Sequence, residues 1–142
     1  MIKIEPAAWT VMVQHAESTF PNECCGVMFG PSGETKTVVE AMPLANTYTG
    51  PQEDRYEISP EDLLRAERHA RQNGFDLIGI FHSHPDCDAY FSKTDLENSC
   101  PWYSFVVLSI KGGRFDHANS FLPNADQTAA DKEPLEFPES NG

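Results

Sequence analysis

The sequence has few basic residues and no long apolar run. Its 142 residues include 10 Lys and Arg against 22 Asp and Glu, which gives a formal net charge of -12. Binding to nucleic acid or to anionic lipid needs clustered basic side chains, and the sequence has no such cluster. No apolar run is long enough to span a bilayer, and the amino terminus lacks the apolar core of a secretion signal. We therefore expect a soluble, cytoplasmic protein with no nucleic-acid or membrane partner.

Cysteine and histidine are also scarce. The chain has four cysteines, of which Cys24 and Cys25 are adjacent, and five histidines. Small secreted proteins that depend on disulfides carry a framework of spaced cysteines, and this arrangement does not form one. We therefore expect reduced thiols that are mostly buried, as free cysteines usually are.

Helical and strand patterns alternate along the chain. Residues 60–73 show this most clearly, because Ser59 suits an N-cap, Pro60 a first helical position and Gly74 a C-terminal stop. The order of elements predicts a single mixed β-sheet sandwiched by helices, an α/β fold. The predicted helices are 6–18, 60–73 and a short one from Ser92, and the predicted strands are 24–30, 35–44, 54–59, 75–84, 103–110 and 114–123.

The end of the chain differs in composition from the rest. From Pro123 onward the sequence is polar, acidic and interrupted by prolines, which is typical of a segment that cannot bury a core. The chain length fits one domain. We therefore predict a folded domain over 1–122 and a mobile acidic tail over 123–142.

Two histidines stand one residue apart at the end of the predicted strand 75–84. Side chains at positions i and i+2 of a strand point to the same face, so His82 and His84 lie side by side while Ser83 points the other way. Two adjacent neutral imidazoles pack poorly in a core but chelate a metal well. The pair therefore indicates a metal site.

A possible third ligand lies eleven residues after His84. If Ser92 begins a helix, Asp95 lies one turn on and on the same side, where its carboxylate can reach the histidines. Two histidines and one carboxylate are typical of catalytic zinc with an open position for water. Such an ion lowers the pKa of bound water to about 7 and polarises a substrate carbonyl. The same ligands also suit non-haem iron, so the choice of metal stays open at this point.

Both features also have simpler explanations. Ser92 and Asp95 fit a capping box, and a histidine pair at this spacing is often structural. A structural zinc site that uses Cys87 and Cys100 has no usual ligand spacing. Because the histidine pair and the Ser92/Asp95 pair fall within fifteen residues after one predicted central strand, we favour the catalytic metal site.

The same residues carry a resemblance to a known family. The pattern H-x-H-P, six residues, S-x-x-D, formed by His82, His84, Pro85, Ser92 and Asp95, resembles the signature of JAMM (MPN-type, Mov34/PAD-1) zinc metallopeptidases. The segment PNECCGVMFG is similar to the stand-alone prokaryotic members. The resemblance covers about residues 6–122 and implies a fold like that of cytidine deaminase. One departure is a phenylalanine at position 91, where many relatives have proline, which puts the stiffness of that loop in question.

The resemblance also implies a role for each site residue. His82, His84 and Asp95 become the ligands of one Zn²⁺. Glu23 becomes the general base that takes a proton from water and the general acid that returns it to the leaving amine. Ser92 becomes the donor to the developing oxyanion.

The activity implied by the resemblance is hydrolysis after the C-terminal Gly-Gly of a ubiquitin-like protein. For a stand-alone prokaryotic member the implied partner is a sulfur-carrier protein, and some relatives form homodimers. Two alternatives remain at this point. One is a non-catalytic binding scaffold, although scaffolds of this family lack one or more ligands, and the other is a zinc hydrolase of a small amide metabolite.

Overall fold

The computed structural model describes residues 1–138. Within these residues the chain forms nine strands and three helices. None of these helices is long and apolar enough to cross a membrane. The elements are β1 (Ile2–Ile4), α1 (Pro6–Thr19), β2 (Cys25–Gly30), β3 (Lys36–Val38), β4 (Glu40–Leu44), α2 (Pro60–Asn73), β5 (Asp76–Pro85), α3 (Lys93–Glu97), β6 (Ser104–Lys111), β7 (Arg114–Pro123), β8 (Ala130–Glu133) and β9 (Leu135–Glu136).

The main sheet has six strands in the order β4-β2-β5-β6-β7-β8. Its only parallel pair is β5 with β6 within the described residues, and the other neighbours are antiparallel. The connection from β5 to β6 contains α3, so this helix begins just beyond the carboxyl end of a central strand. A smaller sheet joins β1 in parallel to β3 and to β9.

Helices cover the two faces of the main sheet. Successive side chains of a strand point to opposite faces, and in β2 Met28 joins one core cluster while Val27 and Phe29 join the other. Buried residues of α1 belong to the first cluster and those of α2 to the second. The predicted mixed sheet sandwiched by helices is therefore confirmed.

Helix α2 shows why the local sequence signals succeed. The Ser59 side chain accepts a hydrogen bond from the Asp62 amide at 3.1 Å, which satisfies one of the free N–H groups of the first turn. Gly74 ends the helix with φ of 69°, a left-handed conformation that favours glycine. These bonds involve neighbours in sequence, so they can be predicted without the rest of the fold.

The predicted strand 54–59 is wrong. This segment forms no strand, and its hydrogen bonds go to the preceding loop instead of a neighbouring strand. The side chain of Asn46 donates to the carbonyl of Arg55 at 3.0 Å and accepts from the amide of Glu57 at 3.1 Å. The alternating pattern does mark a buried side, because Tyr56 is only 8% exposed.

The C-terminal segment also differs from the prediction of a mobile tail from 123. Strand β8 pairs with β7, and β9 pairs with β1. Buried Glu133 explains this attachment, since it accepts hydrogen bonds from Lys36 Nζ and Ser120 Oγ, both at 2.9 Å. Phe137 then stacks on Trp9 with ring centroids 4.5 Å apart. Residues 139–142, the rest of the predicted tail, lie outside the described residues.

Candidate metal centre

The carboxyl end of β5 brings the two predicted histidines to one side of the strand. His82 pairs in register with Cys25 of β2 and Val107 of β6. His82 and His84 are at most 4% exposed. Ser83 points the other way and its hydroxyl accepts a hydrogen bond from the amide of Cys24 at 2.8 Å. The predicted side-by-side arrangement is therefore present, inside the protein.

The start of α3 supplies the carboxylate. Ser92 Oγ accepts from the Asp95 amide at 2.9 Å, and Asp95 Oδ2 accepts from the Ser92 amide at 3.0 Å. The capping-box interpretation is therefore correct, but it does not exclude the metal site. The same Oδ2 lies 3.2 Å from His82 Nε2 and 3.0 Å from His84 Nε2, so the cap holds the carboxylate against the two imidazoles.

The three candidate ligand atoms have spacings close to those around a tetrahedral ion. The two Nε2 atoms are 3.3 Å apart, close to the distances that each makes to Asp95 Oδ2. An ion with bonds of about 2.0–2.1 Å holds tetrahedral ligands about 3.3–3.4 Å apart. Within the described residues, His82, His84 and Asp95 are the one group of three or more such side chains close enough to share a metal.

The tautomer of His84 is set by a backbone carbonyl. His84 Nδ1 donates to the carbonyl oxygen of Asp88 at 3.0 Å. A carbonyl can only accept, so the proton of the neutral ring lies on Nδ1 and the lone pair of Nε2 faces the other ligand atoms. Outer hydrogen bonds of this kind orient metal-binding histidines and raise their basicity.

His82 is held by packing instead. Its ring stacks on Tyr56 with centroids 4.6 Å apart and planes 28° apart. Its Nδ1 is buried and has no hydrogen-bond partner in the described part of the chain. Burial lowers the pKa of His82 below its usual range, against the opposing charge of Asp95. A lowered pKa favours the neutral ring, which is the form that binds a metal.

The carboxylate of Asp95 stays ionised although it is buried. Burial on its own raises the pKa of Asp95, but the two imidazoles beside it, His82 first, lower that pKa well below its usual range. The centre therefore combines a carboxylate with two imidazole lone pairs, a donor set that fits zinc or a similar divalent ion.

Glu23 lies beside this centre at the start of β2. The amide of Ser83 donates to the carbonyl of Cys24 at 3.3 Å, which extends the antiparallel pairing with β5 and puts Glu23 opposite His84. Glu23 is 3% exposed and its Oε1 has no hydrogen-bond partner in the described part of the chain. Burial, together with the charges of Asp95 and Asp54, raises the pKa of Glu23 to about 9.

A pocket with a cavity volume of about 40 Å³ opens onto these groups. This volume is below the range of about 300–1,000 Å³ that is typical of small-molecule sites. The pocket is acidic and has one aromatic wall. Its lining residues are Glu23, Glu53, Asp54, His84, Pro85, Cys87, Tyr90 and Ser92.

Comparison with known proteins adds a family to this geometry. A family model described as prokaryotic homologs of the JAB domain, Prok-JAB, matches residues 5–121. The chain belongs to this family. The match confirms the predicted stand-alone prokaryotic type of JAMM protein, and it spans all five predicted site residues.

Relatives of this Prok-JAB chain include named peptidases. It is 36% identical over 98 residues to the desampylase of Haloferax volcanii, covering 68% of this chain and 69% of the relative. It is 35% identical over 91 residues to the desampylase of Pyrococcus furiosus, covering 63% and 61%. It is 31% identical over 101 residues to the CysO-cysteine peptidase of Mycobacterium tuberculosis, covering 70% and 67%. These names support a hydrolase of the JAMM type.

A solved structure supports the fold of the Prok-JAB chain. A protein of Desulfitobacterium hafniense, solved in solution, matches with a TM-score of 0.83 and 29% identity. The match covers 99% of this chain and 94% of that protein. The architecture inferred from the sequence therefore has an experimentally determined counterpart.

Three contributions to the centre were missed from the sequence. The stacking ring of Tyr56 comes from the segment predicted as a strand. The ring of Tyr90 lies edge-on to His84, with centroids 4.9 Å apart. The carbonyl of Asp88 carries no sequence signal, because every residue has one. Only the alternation around Tyr56 gave a clue, since it marked a buried side.

Phe91 stands where the family resemblance led us to expect proline. Its ring stacks on Phe121 with centroids 5.3 Å apart and contacts Phe105 at 5.5 Å. The residue before the Ser92 cap is therefore anchored to the sheet by aromatic packing.

Proposed function

We propose that the chain is a zinc-dependent peptidase or isopeptidase that cleaves after the C-terminal Gly-Gly of a ubiquitin-like sulfur-carrier protein. The observation that carries the proposal is the convergence of His82 Nε2, His84 Nε2 and Asp95 Oδ2 within 3.0–3.3 Å, next to the buried Glu23, whose Oε1 has no hydrogen-bond partner among residues 1–138. The desampylase and CysO-cysteine peptidase relatives support the choice of substrate.

His82, His84 and Asp95 would hold the zinc ion. When bound, the ion supplies Lewis acidity toward the scissile carbonyl and makes water a better nucleophile at neutral pH. A cation at this position also changes the environment of Glu23, because a nearby positive charge favours the ionised carboxylate. The raised pKa of Glu23 in the chain alone is then brought toward the range of a general base.

Glu23 moves the proton in this proposal. Its carboxylate accepts a proton from the attacking water and later gives it to the nitrogen of the leaving amine. The unpartnered Oε1 supports this role, because a buried carboxylate oxygen without a hydrogen bond is costly unless a ligand occupies the site.

Ser92 binds the oxygen of the scissile carbonyl as negative charge develops on it. Its hydroxyl oxygen already accepts from the Asp95 amide, but a hydroxyl also carries one proton to donate. Within the described residues no hydrogen bond donated by Ser92 Oγ is present, and Ser92 lines the pocket. Capping the helix and stabilising the oxyanion therefore use different parts of one hydroxyl.

The proposal includes a protein substrate and a cytoplasmic location. The small acidic pocket suits the narrow end of a Gly-Gly tail better than an enclosed metabolite. Homodimer formation is a separate prediction from the family resemblance, and so is the preference for zinc over other divalent ions. A scaffold role has no supporting observation, because all five site positions carry the residues that the catalytic pattern requires.

Mass spectrometry of an extended substrate tests the proposal. A sulfur-carrier protein with residues added after Gly-Gly is incubated with the zinc-loaded chain, with Glu23→Gln and with Glu53→Gln. We expect wild type and Glu53→Gln to cut after the second glycine and Glu23→Gln to lose more than about 100-fold of the rate, as expected for loss of a general base. Glu53→Gln is the matched control, since it makes the same change at an exposed residue of the same pocket. Absence of cleavage by wild type with zinc bound, across several carriers, would overturn the proposed substrate.

A further inference from the structure

The loop between β5 and α3 carries the carbonyl that orients His84, and the β6–β7 hairpin holds this loop. Ser109 Oγ donates to the carbonyl of Cys87 at 2.5 Å. The amide of Gly112 donates to Asp86 Oδ1 at 2.8 Å, and the amide of Asp86 donates to the carbonyl of Ile110 at 2.7 Å. The loop is therefore attached to the hairpin just before Asp88.

His117 of β7 contacts the peptide group on which His84 depends. The amide of Ala89 donates to His117 Nε2 at 3.0 Å. This amide and the carbonyl of Asp88 belong to the same peptide unit. One rigid, planar group therefore accepts a hydrogen bond from His84 at its oxygen and donates one to His117 at its nitrogen.

The protonation of His117 follows from its partners. A backbone N–H can only donate, so Nε2 of His117 must present its lone pair. The proton of the neutral ring then lies on Nδ1, which donates to Asp116 Oδ2 at 2.6 Å. Asp88 Oδ1 lies 4.0 Å from His117 Nε2, and Lys111 Nζ lies 2.8 Å from Asp88 Oδ1 and 3.8 Å from Asp116 Oδ2. These charged groups lie near the ring, and Lys132 lines the same pocket as His117.

A second bond holds the next peptide group. The side chain of Asn119 donates to the carbonyl of Ala89 at 2.9 Å, and Ala89 itself is 1% exposed. The side chains of His117 and Asn119 in β7 thus form hydrogen bonds with the backbone on either side of Ala89. This arrangement limits rotation of the peptide unit that faces His84.

We propose that His117 is a positioning residue for the metal centre, acting on His84 through the peptide group between Asp88 and Ala89. The path runs from Asp116 Oδ2 to His117, across the peptide unit, and to His84 Nδ1. Each group that donates a hydrogen bond along this path becomes a better acceptor for the next hydrogen bond. This effect strengthens the bond that orients His84 and raises the basicity of its Nε2. The inference rests on the proposed function, because it assumes that His84 binds zinc.

Zinc affinity of paired variants tests the inference. His117→Val removes the acceptor and puts a strand-favouring residue in a strand, whereas the side-chain carbonyl of His117→Gln can still accept from the Ala89 amide. Zinc binding is measured by competition with a chromogenic chelator. Loss of an outer partner of a ligand typically costs about 10–100-fold in metal affinity, so we expect about 10-fold weaker binding for His117→Val and less than about 3-fold for His117→Gln. The NMR signal of the His84 ring NH in the zinc-loaded protein gives a second readout, and we expect it to shift in His117→Val alone.

Lys111→Met is the matched control, since Lys111 contacts the side chains of Asp88 and Asp116 and not the peptide group. We expect unchanged zinc affinity for it, and equal weakening in Lys111→Met and His117→Val would overturn the inference. Asp116→Ala tests the same path at a half-exposed residue, so the inference remains testable if His117→Val does not fold. Wild-type affinity in both His117→Val and Asp116→Ala overturns the inference but leaves the proposed function intact. Failure of wild type to bind zinc overturns both.

Discussion

Two clusters of histidine and aspartate meet at the loop that follows β5, and they differ in what their atoms can do. In the buried cluster of His82, His84 and Asp95, two imidazole lone pairs and one carboxylate oxygen converge within 3.0–3.3 Å. In the outer cluster, His117 and Lys111 each donate to an aspartate. The comparison shows that residue types alone do not make a metal site. A metal site also needs lone pairs that converge on one point, with too few protons between them for every lone pair to accept a hydrogen bond.

The two clusters also differ in energetic cost. Burying a carboxylate and neutral imidazoles removes their hydration, and this cost is recovered only with well-placed partners. Exposed ion pairs such as Lys111 with Asp88 contribute little either way. The buried cluster therefore carries a cost in stability, whereas the outer cluster organises a loop at almost no cost.

The largest expected effect comes from the same substitution, Asp to Asn, made in each of the two clusters. Asp95→Asn replaces a charged ligand at the buried centre, and Asp116→Asn makes the same change outside it while keeping an oxygen acceptor for His117. We expect zinc affinity to fall by more than about 100-fold in Asp95→Asn, because a direct ligand is lost, and by less than about 3-fold in Asp116→Asn. Zinc content after dialysis and chelator competition measure both. Similar losses in the two variants would show that the clusters do not differ as described.

The second effect concerns how the burial of Glu23 lowers the free energy of unfolding. Burial and the charges of Asp95 and Asp54 raise its pKa from 4.5 to about 9. Between these values the folded chain holds a proton that the unfolded chain releases, so the free energy of unfolding falls as pH rises through this window. We expect Glu23→Gln to stabilise the zinc-free protein by on the order of 3 kcal/mol at pH 7, and to have almost no effect below the lower pKa.

Thermal melts across pH measure this difference. Exposed Glu53→Gln, in the same pocket, is expected to follow wild type at every pH. Added zinc is expected to narrow the gap between wild type and Glu23→Gln, because a bound cation favours the ionised carboxylate. A gap that does not depend on pH would mean that Glu23 is not destabilised by ionisation.

The smallest expected effect concerns the reactivity of cysteine thiols, which differ in burial between the centre and the loop. Cys24 and Cys25 are buried beside the centre, and burial raises the pKa of each thiol to about 12. Cys87, on the loop, is exposed. Because the thiolate is the reactive form, we expect iodoacetamide to label Cys87 in the native protein and to label Cys24 and Cys25 only after denaturation. Peptide mapping by mass spectrometry measures this, and early labelling of Cys25 would contradict the buried arrangement.

Local signals predicted the parts of the fold that depend on neighbours in sequence. Helix α2 has its cap at Ser59 and its stop at Gly74, and β5 carries its histidines to one side, because these features depend on backbone geometry over a few residues. The wrong predictions concern segments whose partners are distant in sequence. The segment around Tyr56 is held by Asn46, and the C-terminal strands are held by β7 and β1, which no local pattern reveals.

Glu133 shows this limit most clearly. An acidic residue in a polar, proline-containing segment normally indicates a solvated tail. Here it is buried because Lys36, which lies 97 positions earlier, reaches its carboxylate. The pairing depends on the folded arrangement of the two sheets, and composition cannot report it.

The sequence by itself determined the identity and spacing of the candidate ligands, since a two-residue step in a strand and a three-residue step in a helix have set directions. The tertiary structure alone decided that the capping carboxylate would also face both imidazoles. It also decided that Tyr56 would stack on His82, and that His117 would reach His84 through a peptide group. These relations join atoms from strands and loops that are distant in the chain, and only the packing of the sheet brings them within hydrogen-bond distance.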